Sequence, residues 1–149
     1  MKVREVMTKD ITSVDTQMNA KEALDLLQKM QISGLPVIDA DRKLVGMFTE
    51  KEVVAAILPS YLERVGRFIY QENPKAVKQK VQMFSGIKVK DIMRQNVVTV
   101  DEDTTLCEVA RIMLTQKARR IPVLNKEKEV VGIVSRGDVV KALFQEYKV

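Results

Sequence analysis

The strongest constraint on the fold of this chain is an internal repeat. Shifting the sequence by 86 residues aligns residues 3–58 with 89–144 without a gap, and twelve positions are then identical. They include the pairs Val3/Val89, Met7/Met93, Pro36/Pro122, Gly46/Gly132 and Val53/Val139. A chain of 149 residues that contains one pattern twice is built from two copies of a supersecondary unit.

The first half of each copy predicts a strand followed by a capped helix. β-Branched residues dominate 11–14 and 97–100, which is typical of short strands. Asn19 and Thr105 each stand three residues before a glutamate. This spacing predicts a capping box, in which the side chain and the backbone of both residues satisfy each other's free amides. Apolar residues then recur at helical spacing, so we expect helices that begin after Asn19 and Thr105.

The second half of each copy predicts two strands and a closing helix. The strands cover 35–38 and 44–48 in the first copy, and 121–124 and 130–134 in the second. Gly46 and Gly132 fall within the later strands, where we expect them to permit a close approach or a bulge. Apolar residues on strands and helices need covering. We therefore expect a mixed α/β (α+β) fold, with two tandem β-α-β-β-α repeats packed about a pseudo-twofold axis.

The repeats predict domain boundaries at 1–58 and 87–149, with residues 59–86 as a helical connector. The first connector helix is expected to have Ser60 as its cap and Tyr61, Leu62, Val65, Phe68 and Ile69 on one stripe. The second is expected to start at Asn73–Pro74, to run through Val77, Val81 and Phe84, and to end at Gly86. The connector is thus interpreted as amphipathic helix.

Composition excludes several classes of function. The chain has one Cys and no His, which excludes an internal disulfide, the usual zinc ligand sets and any Ser-His or Cys-His nucleophile pair. No apolar run approaches the roughly 20 residues that span a bilayer, and the start carries no apolar core of a secretory signal. We therefore expect a cytoplasmic protein without a membrane partner, a metal site or catalytic residues.

Two segments of each repeat resemble those of a known family. In the first repeat they are Gly34-Leu-Pro-Val37 and Val45-Gly-Met-Phe-Thr-Glu-Lys-Glu52, and in the second Arg120-Ile-Pro-Val123 and Val131-Gly-Ile-Val-Ser-Arg-Gly-Asp138. A hydrophobic-Pro-Val segment followed by Val-Gly-hydrophobic-hydrophobic-Ser/Thr-x-x-Asp/Glu, duplicated in register, resembles the CBS domain pair, or Bateman module. The resemblance covers both repeats and nearly everything outside the connector.

The resemblance implies a regulatory module and not an enzyme. Members of the family bind AMP, ADP or ATP, and some bind S-adenosylmethionine, in clefts between their two repeats, and no cofactor is required. Two modules commonly pair as a disc-shaped homodimer. The chain is accordingly expected to bind an adenine nucleotide, to form a homodimer and to report occupancy to an effector protein that its sequence does not identify.

The first cleft implied by the resemblance joins Thr12, Ile32, Ser33 and Gly34 to Ser135 and Asp138. In this cleft Asp138 is expected to bind the ribose, because an ionised carboxylate has two acceptor oxygens for the two neighbouring hydroxyls of a ribose. Ser135, at the start of a helix, is expected to donate to a phosphate or ribose oxygen. Adenine would lie in an apolar slot and be read by backbone groups beside Thr12 and Ile32.

The second cleft implied by the resemblance pairs Val97, Val98, Arg119 and Arg120 with Thr49 and Glu52. Glu52 stands where the family usually has Asp, and its longer side chain moves the carboxylate away from the diol. Arg119 and Arg120 match positions where relatives carry basic phosphate contacts, and guanidinium groups suit phosphate oxygens. Phosphates from both clefts are expected to converge near these arginines.

Structural alternatives exist for the same residues. Thr49 and Glu52 fit a capping box that needs no ligand. For Asp138 the pattern calls for Glu or Gln instead, which favours a binding role, and compensation of the helix macrodipole is its structural alternative. Arg119 and Arg120 also fit an ordinary solvated pair.

Two other functions stay open at the level of sequence. The net charge of +5 divides into −1 for residues 1–58, +3 for 59–86 and +3 for 87–149. The connector's basic residues are Arg64, Arg67, Lys75, Lys78 and Lys80, with Lys88 just beyond it. Interleaved with aromatic residues, they fit a nucleic-acid-binding surface. A ligand-free structural dimerisation module is the remaining alternative, which Glu52 favours for one cleft.

Overall fold

The computed structural model describes residues 1–58 and 74–148. The connector helix expected after Ser60, and the cap expected at Asn73, lie outside these residues. Within the described parts of the chain, no helix combines the length and apolar character needed to cross a membrane.

The elements follow the predicted order in both copies. The first copy has a 3-10 turn (Val3–Glu5), β1 (Val14–Asp15), α1 (Ala20–Met30), β2 (Gly34–Ile38), β3 (Leu44–Thr49) and α2 (Glu50–Ile57). Then come α3 (Pro74–Met83), a 3-10 turn (Phe84–Gly86), α4 (Val89–Ile92), β4 (Val100–Asp101), α5 (Leu106–Thr115), β5 (Arg120–Leu124), β6 (Val130–Ser135) and α6 (Arg136–Glu146). The sheets have the strand orders β1-β2-β3 and β4-β5-β6. The predicted mixed α/β fold with two repeats is therefore confirmed.

The first strand of each copy is shorter than predicted. β1 pairs in parallel with β2 only through Val14 and Asp15, and β4 pairs with β5 only through Val100 and Asp101. The β-branched runs at 11–14 and 97–100 each contribute only their last residue, because the residues before it have no partner on the neighbouring strand. Placing these strands over the whole runs was wrong.

The chain divides into two compact units whose members do not follow the repeats. Unit 1 contains Met1–Thr12, Asp39–Leu44 and the chain from Asn96 onward, whereas unit 2 contains Ser13–Ile38 and Val45–Gln95. Each unit thus takes its sheet from one repeat and a short N-terminal segment from the other. The sequence boundaries at 58 and 87 stay a prediction.

We call the N-terminal segment that each unit takes from the other repeat, 1–12 in unit 1 and 87–95 in unit 2, the exchanged segment. Equivalent backbone hydrogen bonds attach it in each unit. In unit 1 the Val3 amide donates to Thr104 O at 2.8 Å, and the Leu106 amide donates to Met1 O at 2.9 Å. In unit 2 the same pattern joins Val89 N to Met18 O and Ala20 N to Ile87 O, both at 2.8 Å. The exchanged segment therefore accepts a bond from the first amide of α5 or α1, which has no partner within its own helix.

The exchanged segments also complete the two cores. Val3 is fully buried among unit 1 residues such as Val100 and Leu106. Val89 is fully buried in the unit 2 core. Burial of a valine side chain contributes roughly 1.5–3 kcal/mol, so each unit depends on a residue from the other repeat.

Gly46 and Gly132 lie where the exchanged segment crosses the last strand of each sheet. A Cβ atom at Gly46 would lie 2.8 Å from both Arg94 O and Met93 Sδ, and one at Gly132 would lie 2.7 Å from Met7 Cγ and 3.1 Å from Thr8 O. The expectation of a close approach is therefore confirmed, and it explains why Met and Gly recur together in the repeat.

The helix caps of α1 and α5 are only half of the predicted capping boxes. Asn19 accepts a hydrogen bond from Lys21 N at 2.8 Å, and Thr105 accepts one from Glu108 N at 3.3 Å. The reciprocal bond, in which the glutamate carboxylate accepts from the N-cap amide, is formed in neither helix. In α5 the carboxylate of Glu108 instead accepts from Arg111 at 2.5 and 2.9 Å. The prediction that both directions are satisfied was wrong for these two helices, although their start points are confirmed.

Candidate functional site

The clearest cluster of predicted binding residues lies in unit 1, where β6 turns into α6. We call Arg119, Arg120 and Ser135–Asp138 the arginine corner. Arg120 and Ser135 are partners in the antiparallel β5–β6 pair, and Arg136 N donates to Arg119 O at 3.1 Å. Strand pairing and this bond bring Arg119, Arg120, Ser135 and Asp138 together, although the sequence had assigned them to different clefts.

Ser135 and Asp138 form a reciprocal capping box at the start of α6. Ser135 N donates to Asp138 Oδ2 at 2.9 Å, and Asp138 N donates to Ser135 Oγ at 3.2 Å. The box forms although the pattern calls for Glu or Gln at this position, because the shorter carboxylate still reaches the backbone amide. Asp138 therefore has a structural role whether or not it binds a ligand.

The box leaves binding capacity unused. Ser135 Oγ acts only as an acceptor, so its proton remains free to donate, and Asp138 Oδ1 has no hydrogen-bond partner among residues 1–58 and 74–148. Both side chains are half-buried. The pair therefore offers one hydroxyl donor and one carboxylate oxygen side by side.

Two guanidinium groups accompany this pair. Arg119 is exposed and Arg120 is half-buried. Neither side chain forms an ion pair or a side-chain hydrogen bond with any residue that the structure describes. An anion at this corner would meet donors that the described part of the protein does not already occupy.

The equivalent place in unit 2 has the same backbone but different chemistry. We call Ser33, Gly34 and Thr49–Glu52 the glutamate corner. Glu50 N donates to Ser33 O at 3.1 Å, as Arg136 N does to Arg119 O. Glu52 Oε2 accepts from Thr49 N at 3.2 Å and also from the Thr49 hydroxyl. The capping interpretation of Thr49 and Glu52 is therefore confirmed. The Thr49 hydroxyl donates its proton to Glu52, whereas the Ser135 hydroxyl has no such acceptor in the described part of the chain.

The two corners also differ in the space beside the cap. A Cβ atom at Gly34 would lie 2.8 Å from the Thr49 methyl carbon Cγ2. Ser135, at the position equivalent to Thr49, has no methyl group, and its partner across the sheet is Arg120. Because the methyl group of Thr49 leaves no room for a Cβ atom on the neighbouring strand, Thr49 stands opposite a glycine. Ser135 lacks that methyl group and stands opposite an arginine.

The remaining predicted site residues are divided between the units. Thr12, Val97 and Val98 belong to unit 1, and Ile32 belongs to unit 2. Val98 and Ile32 pack against the cores of their own units, and Ile32 N already donates to Leu27 O at 3.2 Å. Of the backbone groups of Ile32, only the carbonyl is then left to read an adenine.

Arg136 was not among the residues predicted from sequence. It occupies the first position of α6, and its Nε donates at 3.3 Å to the carbonyl of Ala118, which precedes β5. The signal that could have identified it was the repeat alignment, which places Glu50 at the same position in the first copy.

Comparison with known proteins identifies the repeats. The sequence model of the CBS domain matches residues 3–59 and again residues 89–145. The chain is 36% identical over 151 residues to the CBS domain-containing protein CBSX1, chloroplastic, of Arabidopsis thaliana, which covers 96% of this chain. The chain spans 64% of the length of that relative.

Solved structures show the same fold over almost the whole chain. The crystal structure of the CBS-pair protein CBSX2 from Arabidopsis thaliana superposes with a TM-score of 0.79 at 27% identity, covering 99% of this chain and 97% of the other. A structure of CBSX2 in complex with AMP has a TM-score of 0.75 at 28% identity and covers 98% of both chains. Two matches to the family's sequence model and this shared fold lead to one conclusion: the chain belongs to the CBS domain family and carries two CBS domains in tandem.

Proposed function

We propose that this chain is a non-enzymatic regulatory module that binds an adenine nucleotide at the arginine corner. The observation that carries the proposal is the Ser135–Asp138 box, which leaves a hydroxyl proton and a carboxylate oxygen without partners in the described chain beside two guanidinium groups. The complex of the relative CBSX2 with AMP supports the choice of ligand. AMP, ADP and ATP fit this chemistry.

In this proposal Asp138 binds the ribose. Its Oδ1 accepts from one ribose hydroxyl, while Oδ2 keeps its bond to Ser135 N and has a second lone pair for the neighbouring hydroxyl. Charge-assisted hydrogen bonds of this kind are roughly twice as strong as neutral ones. The cap and the diol can therefore be bound by one carboxylate.

Arg119 and Arg120 bind the phosphate in this proposal, and Ser135 donates its free proton to a phosphate or ribose oxygen. Amides at the start of an 11-residue helix add a favourable potential for an anion. The assignment of Thr12 and Ile32–Gly34 to one cleft, and of Val97 and Val98 to the other, stays a prediction.

The test is a binding panel of AMP, ADP, ATP and S-adenosylmethionine, measured by thermal shift and by isothermal titration calorimetry. A ligand that binds only the folded state raises the free energy of unfolding by about 2.7 kcal/mol at a hundredfold excess over Kd. We expect at least one of the three adenine nucleotides to bind with a stoichiometry of one or two per chain. If none of them shifts the melting temperature or produces heat, the proposal is wrong.

We also infer a homodimer, supported by apolar residues on the contacting helices α5 and α6. Leu114 is 77% exposed, and Val140 and Phe144 are 55% and 56% exposed. Clusters of exposed large apolar side chains mark association sites in water. Light scattering after size exclusion should give a dimer mass for the native chain and a lower mass for Phe144→Glu. A monomeric native chain would contradict the inference.

Nucleic-acid binding stays an alternative prediction. Lys75, Lys78 and Lys80 on α3 are exposed, but the aromatic residues and arginines of the connector before α3 lie outside the described residues. Binding to duplex and single strands that weakens steeply with salt would support this function. The absence of binding at low salt would eliminate it. A cytoplasmic location and an effector protein likewise stay predictions.

A further inference from the structure

The two corners carry opposite charge on the same backbone arrangement. The arginine corner has three guanidinium groups and one carboxylate, whereas the glutamate corner has two carboxylates and the ammonium group of Lys51. The hydrogen bond from the first helical amide to the residue just before the neighbouring strand has the same length, 3.1 Å, in both. The fold of this turn therefore does not require either set of charges.

Arg136 is the residue whose charge is hardest to explain by folding alone. It is the first residue of α6, where a cation opposes the helix macrodipole and an acid is favoured. Glu50, at the same position of α2, is the residue that helix stability favours. The backbone amide of Arg136 also donates to Arg119 O at 3.1 Å, so a second arginine is adjacent to it in the fold.

The Arg136 side chain is held in place at this unfavourable position. Its Nε donates to Ala118 O at 3.3 Å, so the side chain folds back toward the beginning of β5. The terminal nitrogens of the guanidinium have no acceptor among residues 1–58 and 74–148. An unpaired cation that is positioned at the expense of helix stability suits an anion that is bound from solution.

We propose that Arg136 determines the specificity of the arginine corner for adenosine ligands that carry a phosphate, over adenosine itself. This inference rests on the proposed function and names the part of the ligand that the corner selects. Ribose binding by Asp138 is common to AMP and adenosine, whereas the contact of Arg136 exists only when a phosphate is present. Removing the guanidinium should therefore change the ratio of the two affinities.

The experiment is calorimetric titration of the full chain with AMP and with adenosine, for the native chain, Arg136→Gln and Lys141→Gln. Lys141 is exposed on the same helix, so its variant matches the change in net charge. We expect Arg136→Gln to weaken AMP about fivefold or more and to leave adenosine within about twofold, since charge-assisted contacts to phosphate are lost. Lys141→Gln should change neither affinity by more than about twofold, because its charge is screened.

Other outcomes overturn the inference. Equal weakening of AMP and adenosine would make Arg136 a residue that only positions the turn, and equal effects of both variants would indicate diffuse charge. Unchanged AMP affinity in Arg136→Gln would also overturn it. A native chain that binds neither ligand would instead refute the proposed function on which the inference rests. If Arg136→Gln does not fold, Arg136→Lys should show the same selective loss at a smaller size.

Discussion

The arginine corner and the glutamate corner show how one turn can be kept while its chemistry changes. In both, a hydroxyl residue ends a strand, a carboxylate three residues later accepts from its amide, and the next amide bonds back to the residue just before the neighbouring strand. Only in the arginine corner does this cap leave the hydroxyl proton free and bring arginines alongside. The cap is therefore structural in both copies, and we propose that the arginine corner binds its ligand through the groups that the cap leaves unused.

The same comparison extends to the exchanged segments, where the two glycines face equivalent neighbours at different distances. We expect Gly46→Ala to lower the free energy of unfolding by about 3 kcal/mol and Gly132→Ala by about 1–2 kcal/mol, in the range of overpacking. The new Cβ at Gly46 meets Arg94 O, a backbone atom fixed by its bond from Met47 N, whereas a flexible methionine lies nearest at Gly132. Urea denaturation measures both. An equal loss of unfolding free energy in both variants would show that the contact with Arg94 O does not determine the cost at Gly46.

Removing the charge from the carboxylate of each cap should affect AMP binding differently. Asp138→Asn keeps an acceptor for the cap but loses the charge on the diol, so we expect the Kd for AMP to rise at least about tenfold, or 1.4 kcal/mol. Glu52→Gln is the matched change in the glutamate corner and should leave AMP affinity within about twofold. Calorimetry on both variants checks the pair. A larger effect from Glu52→Gln would reverse the assignment of the site.

The packing difference between the corners predicts a coupling between two positions. Gly34→Ala should cost about 1–2 kcal/mol, because the new Cβ would lie 2.8 Å from the Thr49 methyl carbon. In the Thr49→Ser background, which imitates Ser135, we expect about 1 kcal/mol of that cost to disappear. A double-mutant cycle by urea denaturation measures the coupling. Additive effects would contradict the claim that the Thr49 methyl group is what excludes a side chain at position 34.

The smallest difference concerns the first helices of the two copies. The side-chain hydrogen bond from Arg111 lowers the pKa of Glu108 on α5. On α1, Asp25 stands at the position aligned with Arg111 and instead forms an ion pair with Lys21 at 2.5 Å. Because the folded pKa of Glu108 lies below its unfolded value, the pair stabilises the protein above about pH 4.3. That stabilisation is lost as the pH falls through the folded pKa.

Thermal unfolding of the native chain and Arg111→Gln at pH 7 and pH 3 tests this effect. At pH 7 the melting temperature of the native chain should be slightly higher than that of Arg111→Gln. The difference between the two melting temperatures should be smaller at pH 3. A difference that is as large at pH 3 would assign the effect to packing instead of charge.

Sequence reasoning predicted the repeat, the element order and the family because these depend on local patterns that occur twice. It did not predict the exchanged segments, since Val3 and Val89 have the same pattern whichever unit buries them. The division of the site residues between two clefts stays a prediction, although Arg120 and Ser135 are partners across β5 and β6. Sequence reasoning also underestimated Asp138 as a cap, because a statistical preference for Glu says little about whether a shorter side chain reaches the amide.

The most direct test of the central claim is a crystal structure of the chain with AMP. We expect the ribose hydroxyls to lie about 2.5–3.0 Å from the Asp138 carboxylate and the phosphate to contact guanidinium nitrogens of the arginine corner. AMP bound with its ribose on Glu52, or with no contact to Asp138 and the three arginines, would contradict it.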